Sequence, residues 1–186
     1  MKKFLEYGGI AASIILIAFG IGATIVGIDG RDRVRTELAR EQIVGTPDSS
    51  IPNQLVNTGS EAQAFANVMR KHTLEATGGK TYAQMPQYIT ADGKGTSDKA
   101  AAGKDPKTGA PTSNPARQIW VTETALTTAL NTAYFAESTA TFVIAMGIAL
   151  LLTGIGFLVL TLRVLYQPSA VKQSRGEPTA AVAVPH

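Results

Sequence analysis

The stretch STATFVIAMGIALLLTGIGFLVLTL, from Ser138 to Leu162, decides the fold of this chain. It contains no charged residue and is rich in Leu, Ile, Val and Phe. At a rise of about 1.5 Å per residue, such a helix exceeds the ~20 residues that cross the ~30 Å hydrocarbon core of a bilayer. A buried helix of a soluble domain rarely needs so long an uncharged run. The stretch therefore predicts a transmembrane helix over residues 138–162.

A second uncharged run, GGIAASIILIAFGIGATIVGI, covers residues 8–28 and follows the short basic start MKKFLEY. A cleaved signal peptide is the competing interpretation, because a basic start and an apolar centre fit both. The run continues past Gly22, however, and no A-x-A sequence follows Ile28. We therefore predict an uncleaved signal-anchor helix over residues 8–28, which makes the lipid bilayer a partner of both spans.

Residues 29–137 form a mainly helical insert between the two spans. Its first part, Asp29 to Val44, continues the first helix, because apolar residues recur at helical spacing among charged ones. A second helix is expected to begin at Ser60, whose hydroxyl can cap free amides, and to end at Gly78-Gly79. The segment TYAQMPQYI that follows fits either a short helix or an extended segment.

The third helix of the insert leads directly into the second span. Asn114-Pro115 has the composition of an N-cap followed by the first helical residue. No helix breaker follows as far as Tyr166. One helix therefore contains both an extramembrane stalk and the span. The sequence predicts an all-α fold, a two-pass transmembrane helical hairpin with an inserted helical extracytoplasmic segment and a second membrane helix extended by this stalk.

Two segments lack the composition of a folded core. Residues 90–113 are full of Gly, Lys, Asp, Ser and Pro and contain no large apolar side chain, which predicts a flexible, solvated loop within the insert. Residues 163–186 show no hydrophobic periodicity. They are expected to form a disordered tail.

Charge indicates which side of the membrane each segment occupies. Basic and acidic residues balance over residues 29–137, so the net charge of +3 comes from the two ends. Loops longer than ~60 residues are exported largely regardless of charge, and the positive-inside rule is therefore read from the short ends. We expect a plasma-membrane protein with residues 1–7 and 163–186 in the cytoplasm and the insert outside. A neutral middle segment also argues against a nucleic-acid partner.

Both spans are rich in small residues, which let helices approach closely in lipid. Four of them repeat every seven positions in the second span, and others share a face with Ala11 in the first. Gly and Ala are also simply frequent in membrane helices. We predict a packing seam, either between the two spans of one chain or between chains. Its candidate residues are Ala140, Gly147, Gly154, Thr161, Ala18 and Gly22.

No catalytic, cofactor-binding or metal site is expected from the sequence. There is no cysteine, and His72 with Glu75 one turn later offers fewer ligands than metal sites need. Neither a nucleophile with a His–Asp pattern nor a phosphate-binding loop occurs. No ionisable residue lies inside either span, although such residues usually mark an ion path. We therefore expect neither an enzyme nor a channel.

The segments KKFLEYGGIAAS, MRKHTLEATGGKTYAQM and ARQIWVTETALTTALNTAYFAE resemble a family of uncharacterised actinobacterial two-span membrane proteins. The resemblance runs from end to end and implies a span, an extracytoplasmic insert and a second span. Some relatives carry the label aromatic ring-opening dioxygenase. A non-haem iron site needs two histidines and a carboxylate on one face, and only His72 lies in the folded part here.

These observations lead to two expected functions. The first is an accessory or scaffold protein of the cell envelope that binds another membrane protein or a second copy of itself. The alternative is a membrane-anchored sensor or small-ligand-binding protein. Its ligand would lie between the helix that begins at Ser60 and the stalk.

Overall fold

A computed structural model describes residues 2–165 of the chain, with side chains from Tyr7 to Arg163. The three helices are α1 (Lys2–Arg40), α2 (Gly59–Ala76) and α3 (Pro115–Leu165). Of the tail predicted to be disordered, residues 163–165 are helical as the end of α3, and the remainder from position 166 onward lies outside the described residues.

The segment TYAQMPQYI adopts both conformations that its sequence allows. It starts with a 3-10 turn, Tyr82–Gln84, and continues as a short strand, β1 (Tyr88–Ile89). Strand β1 pairs antiparallel with β2 (Gly95–Thr96). The fold is thus helical, with one small two-stranded sheet between α2 and α3 in the sequence.

Helices α1 and α3 are each long and apolar enough to cross a membrane. Their large apolar side chains are mostly not covered by protein: Phe19 on α1 is 69% exposed and Leu152 on α3 is 63% exposed. Exposed apolar faces on helices of 39 and 51 residues are suited to contact with lipid. The two candidate membrane helices therefore coincide with the two uncharged runs of the sequence.

The chain divides into two compact units. The first contains α1 up to Ile25 and α3 from Ile144, and the second is Val26–Val143. In the second unit, α2 packs against the polar part of α1 and the stalk of α3 around a small core. This core consists of Leu38, Val56, Ala62, Phe65, Ala66, Val68 and Leu130.

The start of α2 differs from the sequence prediction. Thr58, not Ser60, is the N-cap: its hydroxyl accepts a hydrogen bond from the backbone N of Glu61 at 3.3 Å. The Glu61 carboxylate in turn accepts from the backbone N of Thr58 at 2.9 Å, which completes a capping box. A capping box requires the hydroxyl three residues before the carboxylate, a spacing that Thr58 has and Ser60 lacks.

The other predicted helix ends are close to the observed ones. Helix α2 ends before Gly78-Gly79, where Gly79 N donates to the carbonyl of Leu74 at 2.7 Å and both glycines have positive φ. Helix α3 begins at Pro115, and Oδ1 of Asn114 accepts a hydrogen bond from the backbone N of Ala116 at 3.0 Å. These features match the sequence signals for a helix end and a helix start.

Helix α1 is shorter than predicted and ends at Arg40 instead of continuing to Val44. Gln42 adopts a positive φ of 52°, which breaks the helical path. The next residue, Ile43, accepts a backbone hydrogen bond from Val56 at 2.8 Å. The backbone hydrogen bond between Ile43 and Val56, both in the connection from residue 41 to 58, therefore takes the place of a further turn of α1.

Residues 90–113, predicted to form a flexible loop, contain a series of backbone hydrogen bonds. Gly103 N donates to the carbonyl of Ile89 at 2.9 Å, and Thr112 N donates to the carbonyl of Gly103 at 2.8 Å. The Asp105 carboxylate accepts from the backbone amides of Thr108 and Lys107, and these hydrogen bonds lower its pKa. The mobility of this segment in solution stays a prediction.

Candidate functional site

The first unit contains a close approach between the two apolar helices. A Cβ atom added to Gly147 of α3 would lie 2.7 Å from the backbone N of Thr24 on α1. At Gly154 it would lie 2.9 Å from the backbone N of Ile17. Both glycines are buried. Only a residue without a side chain allows backbones to come this near, so the seam is a direct backbone contact within one chain.

The remaining candidates on α3 also face α1. The side chain of Thr161 lies beside Gly9 in the first unit, since a Cβ on Gly9 would be 2.7 Å from its hydroxyl. Within the second unit, the Ala140 methyl lies 3.8 Å from the Cβ position of Gly30. The structure thus places Ala140, Gly147, Gly154 and Thr161 on the α3 side of helix–helix contacts.

On α1 the two candidate residues do not lie in the contact with α3. Ala18 and Gly22 are exposed, and a Cβ on Gly22 would meet nothing within 4 Å. Among residues 7–25 of α1, the buried positions are Ser13 and Gly20. A Cβ on Gly20 would lie 2.6 Å from the backbone N of Leu151. Small residues occur on several faces of α1, so their presence alone does not select the packed face.

A buried carboxylate connects the three helices of the second unit. Glu137 on α3 is 8% exposed, and its Oε1 lies 2.6 Å from Nε of Arg35 on α1. Its Oε2 accepts a hydrogen bond from the backbone N of Gly59, the first residue of α2. A negative charge is favourable at a helix N-terminus, where backbone amides lack partners. Glu137 therefore holds α1 and α2 against α3.

An apolar groove runs between α1 and α3 within the second unit. Its volume is about 490 Å³, and its floor includes the half-buried Val34 and Leu126 beside the buried Leu130. Charged side chains stand along one edge, among them Arg33 and Glu37. Apolar surface rimmed by polar residues is typical of sites that bind another molecule.

A solvent-exposed ion cluster joins the connection after α1 to α2. Oδ2 of Asp48 lies 2.9 Å from Nζ of Lys71 and 2.9 Å from Nε2 of His72. Hydrogen bonds from these two side chains hold the pKa of Asp48 well below its usual range. His72 thus pairs with Asp48 and not with Glu75, the metal partner considered from sequence. Among residues 7–163, whose side chains the structure describes, no group of three or more potential ligands could hold a metal ion.

A cleft of about 480 Å³ lies between α2 and the stalk of α3. Met69 and Ile119 give it apolar walls, and Thr73, Thr122 and Glu123 add polar groups. Glu123 is only 4% exposed although it carries a carboxylate. This cleft occupies the position between the second helix and the stalk where the sequence suggested a ligand.

Sequence reasoning missed both buried carboxylates, although a signal for them exists. Leu126 and Ala133 of the stalk share the seven-residue repeat of Ala140 and Gly147. A second row with the same period joins Glu123, Leu130 and Glu137, and all three are buried. An acidic residue in an otherwise inward-facing row needs a partner when it is buried, so such a residue in a sequence indicates a buried carboxylate.

No protein-family model, curated protein or solved structure matches this chain.

Proposed function

We propose that this chain is a two-pass protein of the plasma membrane that acts as an accessory subunit or scaffold of the cell envelope. Residues 8–28 and 138–162 span the bilayer, both termini lie in the cytoplasm, and residues 29–137 form the extracytoplasmic insert. Two helices with exposed apolar side chains support the spans, and the basic ends support the orientation. The proposal includes membership of the actinobacterial two-span family that the sequence resembles.

The apolar groove between α1 and α3 is the observation that carries the scaffold role. It begins near Arg33, five residues past the end of the first span at Ile28, or about 8 Å along the helix. On α3 it ends near Ala136, two residues before the second span. A partner that fills the groove must therefore be held close to the membrane surface. Another membrane protein, or a second copy of this chain, meets that condition.

Purification in a mild detergent followed by mass spectrometry tests the scaffold role. We expect a membrane protein to co-purify in a fixed stoichiometry. Ala129→Glu places a charge in the groove and should reduce recovery of the partner at least tenfold, because burying an unpaired charge is costly. Asn131→Glu adds the same charge at a neighbouring exposed position outside the groove and should not. Recovery of the wild-type chain alone and monomeric would contradict the proposal.

The scaffold proposal assigns no catalytic, cofactor-binding or metal-binding residue to the chain. The second candidate function, a membrane-anchored sensor or small-ligand-binding protein, is favoured by the cleft between α2 and α3. Its size lies within the ~300–1,000 Å³ usual for small-molecule sites. Extraction of the purified chain with organic solvent, followed by mass spectrometry, should then release a bound small molecule. A chain that neither releases a small molecule nor binds an added one would exclude this second function.

A further inference from the structure

Glu123 is a buried carboxylate without a cationic partner. Its Oε2 accepts a hydrogen bond at 3.3 Å from the hydroxyl of the adjacent Thr124. Among the described residues, no Lys, Arg or His nitrogen lies within 4.0 Å of the Glu123 carboxylate. Arg70 of α2 lies over the indole ring of Trp120 instead, 5.4 Å from its centroid. The second buried carboxylate of this unit, Glu137, has Arg35 as its partner.

The Glu123 carboxylate lacks the ion pair that Arg35 gives Glu137, and a positive charge that joined it would supply one. Removal of a charge from water is costly, and burial is tolerated when the charge is paired or hydrogen-bonded. Because Glu123 forms part of the wall of the cleft, an incoming cation can reach it. The cleft therefore combines a carboxylate that has no ion-pair partner with room for a positively charged group.

The walls of the cleft restrict what kind of cation fits. Thr73 and Thr122 bring hydroxyl oxygens and Gln118 brings an amide oxygen, and these can accept hydrogen bonds alongside the carboxylate. Met69 and Ile119 offer apolar contact. A metal ion prefers several oxygen ligands of high charge, whereas one carboxylate with neutral acceptors suits the three N–H donors of a primary ammonium group. The apolar walls suit an alkyl chain attached to it.

We infer that the cleft between α2 and α3 binds a primary alkylammonium group, with Glu123 as its counter-ion. The ammonium nitrogen lies against the Glu123 carboxylate, and its alkyl chain lies along Met69 and Ile119. This inference gives the second candidate function its class of ligand and rests on that function.

Fluorescence of the full-length chain in detergent tests the inference. Trp120 is the chain's single tryptophan and lies one helical turn from Glu123, so its emission reports on the cleft. We expect n-butylammonium chloride to change this emission saturably. Sodium chloride at equal concentration, n-butanol and sodium butyrate should produce no saturable change. Glu123→Gln, which keeps the size of the side chain but removes its charge, should weaken n-butylammonium binding at least tenfold.

Glu75→Gln is the matched control, because it removes a carboxylate from an exposed position of α2. It should bind n-butylammonium as tightly as the wild type does. The inference fails if the wild type shows no saturable response, if n-butanol or sodium chloride gives the same response, or if Glu123→Gln binds equally well. Should Glu123→Gln not fold, the ligand series on the wild type still decides the question.

Failure of this inference and failure of the sensor function give different results. A wild-type chain that ignores n-butylammonium yet releases a neutral or anionic small molecule on extraction would overturn the inference and keep the function. A chain that neither responds to n-butylammonium nor releases any small molecule would overturn both.

Discussion

Nε of Arg35 lies 2.6 Å from Oε1 of Glu137, so the charged part of α1 is paired with α3 just before the second uncharged run begins. The other oxygen of Glu137 accepts from the backbone N of Gly59. Glycine is the only residue type that fits at position 59, because a Cβ atom at this position would lie 2.8 Å from Cα of Tyr134. One carboxylate therefore orients two helices relative to a third within the second unit.

Removal of this carboxylate should destabilise the second unit. Glu137→Ala leaves the first amide of α2 without its acceptor and Arg35 without its partner. We expect a loss of about 2–3 kcal/mol in the free energy of unfolding, typical of charge-assisted hydrogen bonds together with a helix cap. Urea unfolding in detergent micelles, followed by Trp120 fluorescence, measures this change. Glu75→Ala at an exposed site should stay within about 0.5 kcal/mol of the wild type, and equal losses for the two variants would refute the role of Glu137.

Gly147 should not tolerate even one added methyl group. Gly147→Ala places a Cβ 2.7 Å from the backbone N of Thr24 and 2.8 Å from the carbonyl oxygen of Gly20, so the helices must separate. We expect a cost of about 1–3 kcal/mol, as for other overpacked contacts. Thermal unfolding followed by far-UV circular dichroism in detergent reports it as a lower Tm.

The first unit provides a matched control for this substitution. Gly156 lies on α3 nine residues later, and a Cβ there would meet nothing within 4 Å. Gly156→Ala should leave Tm unchanged or slightly raised, because alanine favours helix over glycine by up to ~1 kcal/mol. If Gly147→Ala and Gly156→Ala shift Tm alike, the small residues of the span reflect membrane composition and not packing.

The capping box at α2 should make stability depend on pH. Burial by itself raises the pKa of Glu61, but hydrogen bonds from Asn57 and Thr58 favour the carboxylate and hold the pKa below its usual 4.5. Because the pKa of Glu61 is lower in the folded state, its ionised carboxylate contributes stability that is fully present above about pH 4.5. This stability is lost as the pH falls through the folded-state pKa. The free energy of unfolding should therefore decrease on acidification below that pH.

Urea unfolding at a series of pH values, again followed by Trp120 fluorescence, measures this decrease. Glu61→Gln cannot ionise and should reduce the slope of the profile below about pH 4.5. Glu41→Gln, at an exposed position in the turn just after α1, provides the comparison and should keep most of the wild-type slope. Identical profiles for Glu61→Gln and the wild type would exclude this carboxylate as the source.

The long-range features of the fold could be predicted because they depend on composition over many residues. An uncharged run longer than a bilayer requires produces an apolar helix wherever it lies, and both runs are helical here. Asn114-Pro115 and Gly78-Gly79 mark helix ends through local chemistry that tertiary contacts do not override. The stalk and second uncharged run consequently form one helix, as predicted.

Features that depend on a partner surface could not be predicted in the same way. Thr58 and Ser60 both carry hydroxyls, and the choice between them rests on the return contact from Glu61. Small residues on several faces of α1 left Ser13 and Gly20 indistinguishable from Ala18 and Gly22 until α3 was in place. The seven-residue row of Glu123, Leu130 and Glu137 signals that both carboxylates face inward, but the groups that contact them depend on what α2 and α1 bring against them.

The orientation of the insert relative to the membrane is the central claim, and cysteine labelling in intact cells tests it most directly. The chain has no native cysteine, so each variant carries a single thiol. A membrane-impermeant maleimide added outside should label Ser97→Cys in the exposed loop of the insert. Ser174→Cys near the C-terminus should react only after the membrane is permeabilised. Labelling of Ser174→Cys in intact cells with protection of Ser97→Cys would contradict the proposed topology and the envelope-side role built on it.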